Sequence, residues 1–391
     1  SAPSHAFRSA ARPSRLPAAH SEEQPPSLPA MQQLILGFLF LSFLSSSSLA
    51  WWQTLLMVVG GLGGLVWALY KYQESLLFQP VIMGLTTPEQ NPQEYKSPLE
   101  RKMAYENVAF ETEDGERLTG WFIPVKGITS KDEDTTNAKK AATILYFHAN
   151  AGNMGFRLPF LEKMHQLLPC NILIISYRGY GKSTGKPTED GVYKDADAAL
   201  KFLNTFDNID PERVIVFGRS LGGAVAVNLT SRHPDKICGL ILENTFTSIS
   251  AMADKLFPFL YPVKPFILRL DFPSLTRIQD IKNPILFVSG LTDEVVPAEH
   301  MQSLFDSADR ASRRVILRVP GGMHNDTWLK AGPKYFEVMR DFIHKAIPEA
   351  PIFVPRSEIK QPGLGEEEAD GDENEPLGPP NSTTARAGVT S

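Results

Sequence analysis

An α/β fold built on a doubly wound, mostly parallel sheet is what this sequence predicts, and three observations carry it. From residue 142 onward short apolar runs alternate with helical stretches, the pattern of strands buried on both faces beneath crossover helices. Val214-Ile215-Val216-Phe217 leads through Gly218-Arg219-Ser220-Leu221-Gly222 into an Ala- and Val-rich stretch, so a strand turns into a helix across G-x-S-x-G. With 391 residues, 42% hydrophobic and 21% charged, the chain can bury the large core that such a sheet requires.

Taken in order, residues 1–30 form a Ser-, Ala- and Pro-rich leader containing Arg8, Arg12 and Arg15. It reads either as a transit-type presequence or as a disordered arm, and Met31 permits an internal start. No charge occurs from Gln24 to Tyr70. Residues 31–72 hold two apolar runs separated by four serines. The first, 34–44, has a small-residue cleavage pattern at 48–50 and resembles a signal-peptide core. The second, 54–70, lies between Trp51, Trp52 and Trp67, Tyr70, and Lys71 closes it. That spacing predicts a transmembrane anchor near the lower length limit, with its N-terminus on the cytosolic side. A buried core helix is the alternative, and glycines at 60, 61, 63 and 64 weigh against it.

Residues 73–103 are a connector punctuated by Pro80, Pro88, Pro92 and Pro98. The folded domain is expected at 104–348. It begins with a hairpin, strands at 108–112 and 118–123 around the turn 113–116. Residues 127–140 are a charged insertion, expected at the surface. Strands follow at 142–147, 171–176, 214–217, 237–242, 285–289 and 314–319, with helices at 194–206, 222–232 and 335–347. Residues 244–283, rich in Phe and Pro, break the alternation and read as a small helical cap over the carboxyl edge of the sheet. Residues 349–391 are an acidic, disordered tail.

The formal charge of −5 is concentrated in that tail, where Glu366, Glu367, Glu368, Asp370, Asp372, Glu373 and Glu375 lie. What remains is near neutral, which excludes a nucleic-acid partner. Cys170 and Cys238 are the only cysteines, too few for a disulfide framework, and read as buried free thiols. No metal-ligand spacing occurs and no cofactor is expected. Tyr177-Arg178-Gly179-Tyr180-Gly181-Lys182-Ser183 lacks full phosphate-loop spacing and reads as a tight strand-to-helix turn. The glycosylation-type sequons at Asn228, Asn325 and Asn381 carry no assignment without a luminal topology.

Serine needs a base to become a nucleophile, and the base needs an orienting acid. In the α/β-hydrolase fold these occur in the order Ser, Asp or Glu, His, each after a strand. Here Ser220 sits in the elbow, Asp293 follows the strand at 285–289, and His324 follows the strand at 314–319. The assignment is Ser220 as nucleophile, His324 as general base then acid, and Asp293 as the group that fixes the imidazole. Glu294 and Asp326 are adjacent competitors for the acid. The oxyanion hole is expected from the backbone N–H groups of Leu221 and of Asn150, the latter in His148-Ala149-Asn150-Ala151-Gly152-Asn153. His148 itself reads as structural.

These residues resemble membrane-anchored α/β-hydrolase-domain proteins of the plant WAVY GROWTH and fungal Bem type. The likeness rests on that loop, on Ser176-Tyr177-Arg178-Gly179-Tyr180-Gly181, on Phe217-Gly218-Arg219-Ser220-Leu221-Gly222-Gly223-Ala224 and on Leu242-Glu243-Asn244-Thr245-Phe246-Thr247-Ser248. Ser289-Gly290-Leu291-Thr292-Asp293-Glu294-Val295-Val296-Pro297 and Met323-His324-Asn325-Asp326-Thr327-Trp328 complete it. It covers residues 55–347 and implies one N-terminal span, a triad at Ser220, Asp293 and His324, and an endomembrane (endoplasmic reticulum) or plasma-membrane location. The elbow and oxyanion loop are also similar to those of protein-depalmitoylating hydrolases. The expected activity is hydrolysis of an acyl ester or thioester, from a lipid or an acylated protein, by an enzyme held on the bilayer. A serine peptidase and a non-catalytic scaffold in polarity or growth control are the rival readings.

Overall fold

A computed structural model describes residues 51–125, 141–207 and 209–347. The leader, the apolar run 34–44 with its cleavage pattern, the insertion 127–140, the acidic tail and Asn381 lie outside these residues. The described chain opens with helix α1 (Trp51–Leu77), followed by the hairpin β1 (Glu106–Glu111) and β2 (Arg117–Ile123). Then come β3 (Ala142–Phe147), α2 (Leu158–Leu167), β4 (Cys170–Ser176), α3 (Glu189–Asn204), β5 (Val214–Arg219) and α4 (Leu221–Arg232). After β6 (Gly239–Glu243) the chain makes α5 (Ile249–Leu256), α6 (Lys264–Ile267) and α7 (Ser274–Ile278). It closes with β7 (Ile285–Gly290), α8 (Ala298–Ser307), β8 (Arg314–Val319), α9 (Thr327–Ala331) and α10 (Pro333–Ala346).

The strands form one sheet in the order β1-β2-β4-β3-β5-β6-β7-β8. β1 and β2 run antiparallel to their neighbours and the rest are parallel. This is the α/β-hydrolase fold. β3, β4, β5, β6 and β7 are buried at every position, and because side chains alternate across a sheet, each strand feeds two cores. Leu145, Phe147, Val216 and Leu242 face α3, α4, α7 and α8 through Ala196, Val225, Ile278 and Leu304. Ile144, Tyr146, Phe217 and Ile241 face α2 and α10 through Leu161, Met164, Met339 and Phe342.

Four sequence expectations need correction. α2 and α8 are absent from the sequence reading, yet they cover the crossovers β3–β4 and β7–β8. Each has only ten residues and begins at a proline turn, so its apolar period is short. Cys238 is half-buried, with its thiol on the Glu212 carbonyl, whereas Cys170 is buried as expected. α1 continues past the expected end of the anchor to Leu77, so the first residues of the connector are helical. The excursion 244–283 is a cap only in its middle: Thr245 and Phe246 at its start and Phe272, Ile278 and Ile281 near its end are buried in the domain core.

α1 is the one helix among the described residues that is long and apolar enough to cross a membrane, and its apolar window is solvent-exposed along its length. Its far end is built into the domain. Gln73, buried, donates from Nε2 to the Ile267 carbonyl at 3.0 Å and accepts the Arg269 and Leu270 amides at 2.7 and 3.0 Å. Arg269 pairs with Glu74 at 2.7 Å and lies over the Tyr70 ring. Immediately beyond, the Gln79 backbone bridges the 148–153 loop: its N–H reaches the Asn150 carbonyl at 3.1 Å, and its carbonyl accepts the Gly152 N–H at 2.8 Å.

Candidate active site

β5 ends in a turn so tight that side chains two residues to either side of the serine are excluded. A Cβ on Gly218 would lie 2.2 Å from the Gly222 carbonyl oxygen, and one on Gly222 would lie 2.1 Å from the Phe147 carbonyl oxygen. Ser220 itself adopts φ 53°, ψ −121°, a conformation that L-residues rarely hold and that costs on the order of 1–3 kcal/mol. The surroundings enforce it. The Ser220 N–H donates to the Glu243 carbonyl at 2.9 Å, and Thr245 Oγ1 donates to the Ser220 carbonyl at 2.7 Å. The strained turn stands the hydroxyl at the head of α4.

His324 and Asp293 meet that hydroxyl. His324 Nε2 lies 3.0 Å from Ser220 Oγ, and His324 Nδ1 lies 2.8 Å from Asp293 Oδ2. A carboxylate only accepts, so the proton is on Nδ1 and Nε2 is free to accept from the serine. Asp293 is held in turn, its Oδ1 accepting the Val295 and Val296 amides at 2.9 and 2.8 Å. The two competitors are spent elsewhere: Glu294 accepts the His324 N–H at 3.0 Å, and Asp326 accepts the Met323 N–H at 2.8 Å. Three residues predicted from separate strand ends therefore form one hydrogen-bonded chain.

The loop carrying His324 rests on two residues whose roles the sequence reading missed. Asn244, at φ 47°, donates from Nδ2 to the carbonyls of Met323 and His324 at 3.2 and 3.3 Å and to Thr327 Oγ1 at 2.9 Å, and accepts the Gly290 N–H at 2.8 Å. Arg219, buried below, donates to the His324 carbonyl and to Asn325 Oδ1. Its Nε stands 4.0 Å from the wholly buried carboxylate of Glu243. Burial works against the Arg219 charge, but Glu243 beside it carries its pKa above the ordinary value. Burial pushes the Glu243 carboxyl up, against the pull of Arg219. Their only sequence signal was a charged residue next to the serine and an Asn immediately after a strand.

Asn150 and Leu221 line the same pocket as Ser220. The Asn150 side chain donates to the Leu77 carbonyl at 3.0 Å, and the Asn150 backbone carbonyl accepts Tyr180 Oη at 2.5 Å, so the end of α1 and the β4–α3 turn both hold the 148–153 loop. His148 donates from Nδ1 to the Ala149 carbonyl at 2.7 Å and packs on Tyr177. Burial, with Arg157 nearby, depresses its pKa to about 3, and it is structural. The Tyr177–Ser183 turn is likewise consumed by packing. Arg178 binds Asp195 at 2.8 Å and Asp114 at 2.9 Å, tying the turn to the hairpin. Asn228 is buried in α4 and Asn325 is exposed.

Above Ser220 opens an apolar cavity of about 330 Å³, within the usual size range of a single-ligand site. The cap supplies Met252, Leu256, Phe257, Leu260 and Ile267, and the loops supply Val295 and Val296. A further part of the wall is α1, through Leu69, Gln73, Leu76 and Leu77. The pocket is thus walled in part by the end of α1, Leu69 from the segment read as an anchor and Gln73, Leu76 and Leu77 from the segment read as a connector. No group of residues suited to a metal occurs among the described residues.

Comparison with known proteins agrees with this architecture. The α/β-hydrolase fold family matches residues 142–269. The α/β-hydrolase domain-containing protein WAV2 of Arabidopsis thaliana is 40% identical over 74% of this chain and 94% of its own length. Protein bem46 of Schizosaccharomyces pombe is 38% identical over 70% of the chain and 87% of its own length. The membrane protein YNL320W of Saccharomyces cerevisiae is 33% identical over 75% and 97%.

Proposed function

This chain belongs to the α/β-hydrolase-domain family of WAV2 and bem46, and from that premise we propose a membrane-tethered serine hydrolase that cleaves ester or thioester bonds of acyl substrates. The observation that carries the reading is the Ser220–His324–Asp293 chain, at 3.0 and 2.8 Å, opening into a cavity with an almost wholly apolar wall. Ser220 Oγ attacks the acyl carbonyl while its proton passes to His324 Nε2, and Asp293 stabilises the imidazolium. The N–H groups of Leu221 and Asn150 receive the oxyanion, at the head of α4 and in the loop held by α1. Collapse of the intermediate expels the alcohol or thiol, which takes the proton from His324. Water then repeats the sequence on the acyl-enzyme.

A peptidase would use the same triad, but an extended peptide needs polar partners for its backbone, and this cavity supplies hydrocarbon instead. A bilayer lipid or a palmitoylated protein suits it better, on an endomembrane or the plasma membrane. The length of α1 and the name of the yeast relative support the tether. Labelling by a fluorophosphonate probe in membranes, compared with Ser220→Ala and His324→Ala and followed by a panel of acyl esters, thioesters and peptides, tests the reading. Labelling lost in both variants is expected. A well-folded native chain that takes no label would instead favour the scaffold role.

A further inference from the structure

α1 sets a ruler beside the cap. From Trp51 to Tyr70 it rises about 28 Å, close to the thickness of a bilayer's hydrocarbon core, roughly 30 Å. Aromatic residues mark both ends: Trp51 and Trp52 at one, Trp67, Tyr70 and Tyr72 at the other, all exposed. Lys71 follows directly. The pocket wall starts at Leu69 and ends at Leu77, so the cavity begins at the depth where the span ends.

The cap is fastened to α1 at that same depth. Arg269 sits 4.9 Å from the Tyr70 ring centre, and the Ile267 carbonyl bonds Gln73. Next to Ile267 is Phe266, 78% exposed, and Tyr261 and Phe259 are 69% and 46% exposed. None of these three rings lines the cavity. Large apolar side chains left together in water mark a contact surface. Here these rings lie on the cap segment fastened to the end of α1, the helix whose apolar window has no protein cover. Lys264 and Arg269 in the same segment are tied to Asp254 and Glu74.

We propose that the outer face of the cap, carried by Phe259, Tyr261 and Phe266, docks into the bilayer that α1 crosses, sinking about 5–10 Å into the headgroup–acyl boundary. The pocket mouth between the cap and α1 then faces lipid rather than water, and an acyl chain enters sideways without crossing the aqueous phase. The inference rests on the membrane tether proposed above; it needs no assumption about the hydrolytic step.

The test uses the full chain with Cys238→Ser, reconstituted in phosphatidylcholine nanodiscs at one chain per disc. Single cysteines are introduced by Phe266→Cys, Phe259→Cys, Leu62→Cys and Asp309→Cys, and each is labelled with an environment-sensitive fluorophore. The expected result is blue-shifted emission at 62, 259 and 266, quenched by nitroxides on lipid acyl chains and sheltered from iodide, with the reverse at 309. Quenching at 62 with aqueous, iodide-accessible emission at both 259 and 266 overturns the docking and leaves the tether standing. Loss of lipid quenching at 62 overturns the tether, and the docking with it. Shelter at 266 that appears only with two or more chains per disc assigns the patch to a second copy and overturns the docking.

Discussion

The two sides of the cavity are built by different physics. On the reaction side, Ser220, Asp293 and His324 are placed by hydrogen bonds, strained backbone and a buried guanidinium, and every element comes from the sheet or the loops at its carboxyl edge. On the substrate side the wall is hydrocarbon, from α1 and a cap joined at Gln73. Directional contacts locate the reacting atoms to a fraction of an ångström. Apolar contacts are non-directional and define only a volume. The hydrogen-bonded chain is therefore fixed by the sheet and its loops, and the cavity's volume by elements attached to them.

The comparison can be broken most strongly from the reaction side. Ser220→Ala should lower kcat by about 10⁶-fold, and the double variant with His324→Ala should lose little more, because residues that act as a unit do not add. Binding of a non-hydrolysable acyl analogue should survive in Ser220→Ala, measured by calorimetry in nanodiscs. Loss of that binding would mean the two sides are not separable. From the substrate side, Met252→Trp fills the cavity wall and should shift preference toward short acyl chains by roughly 10–200-fold in kcat/KM, the range reached by reshaping an apolar pocket. Triad labelling by a small fluorophosphonate should persist in that variant.

Smaller effects sharpen the boundary between the sides. Gln73→Ala removes the partners of the Arg269 and Leu270 amides, and buried groups left unpaired cost about 1–3 kcal/mol each. Faster hydrogen exchange at 267–270, with exchange in β5 unchanged, is the expected readout. The smallest is a pH effect. His148 is neutral in the fold down to about pH 3, while the unfolded chain protonates it near its ordinary 6.5. The unfolded state thus binds the extra proton, and stability contributed by neutral His148 is lost as pH falls from 6.5 toward 3. Asp195, raised to about 6 by burial, acts in the opposite sense below that pH, but it is common to both proteins when His148→Asn is compared with the native chain. Urea midpoints across that range should fall less steeply for His148→Asn.

What was legible in the sequence was local. Gly218 and Gly222 two residues from Ser220, with a β-branched run before and small residues after, are what a tight strand-to-helix elbow needs, since a Cβ at either glycine would meet backbone. Asp293 and His324 each follow a buried strand, and a parallel sheet brings all such strand ends to one edge. The fold and the meeting of these strand ends were therefore readable from spacing, with the family resemblance beside it. Asn244 and Arg219 were present as motif letters without a role, since their contacts lie 80 and 105 residues away. α2 and α8 escaped because ten residues yield too little period to separate a helix from a loop. The end of α1 escaped for another reason: composition marks residues 54–70 as apolar but says nothing about where the following turns dock.

By itself, then, the sequence determined the buried strands and the elbow and put Ser220, Asp293 and His324 each at a strand end, because each follows from backbone sterics and side-chain period over a few residues. Only the tertiary structure decided that Leu69, Gln73, Leu76 and Leu77 wall the cavity above Ser220, that Leu77 holds the 148–153 loop through Asn150, and that Asn244 and Arg219 brace His324. Those contacts join segments some 70 to 200 residues apart, and non-directional apolar packing leaves no spacing in the chain from which such a meeting can be read.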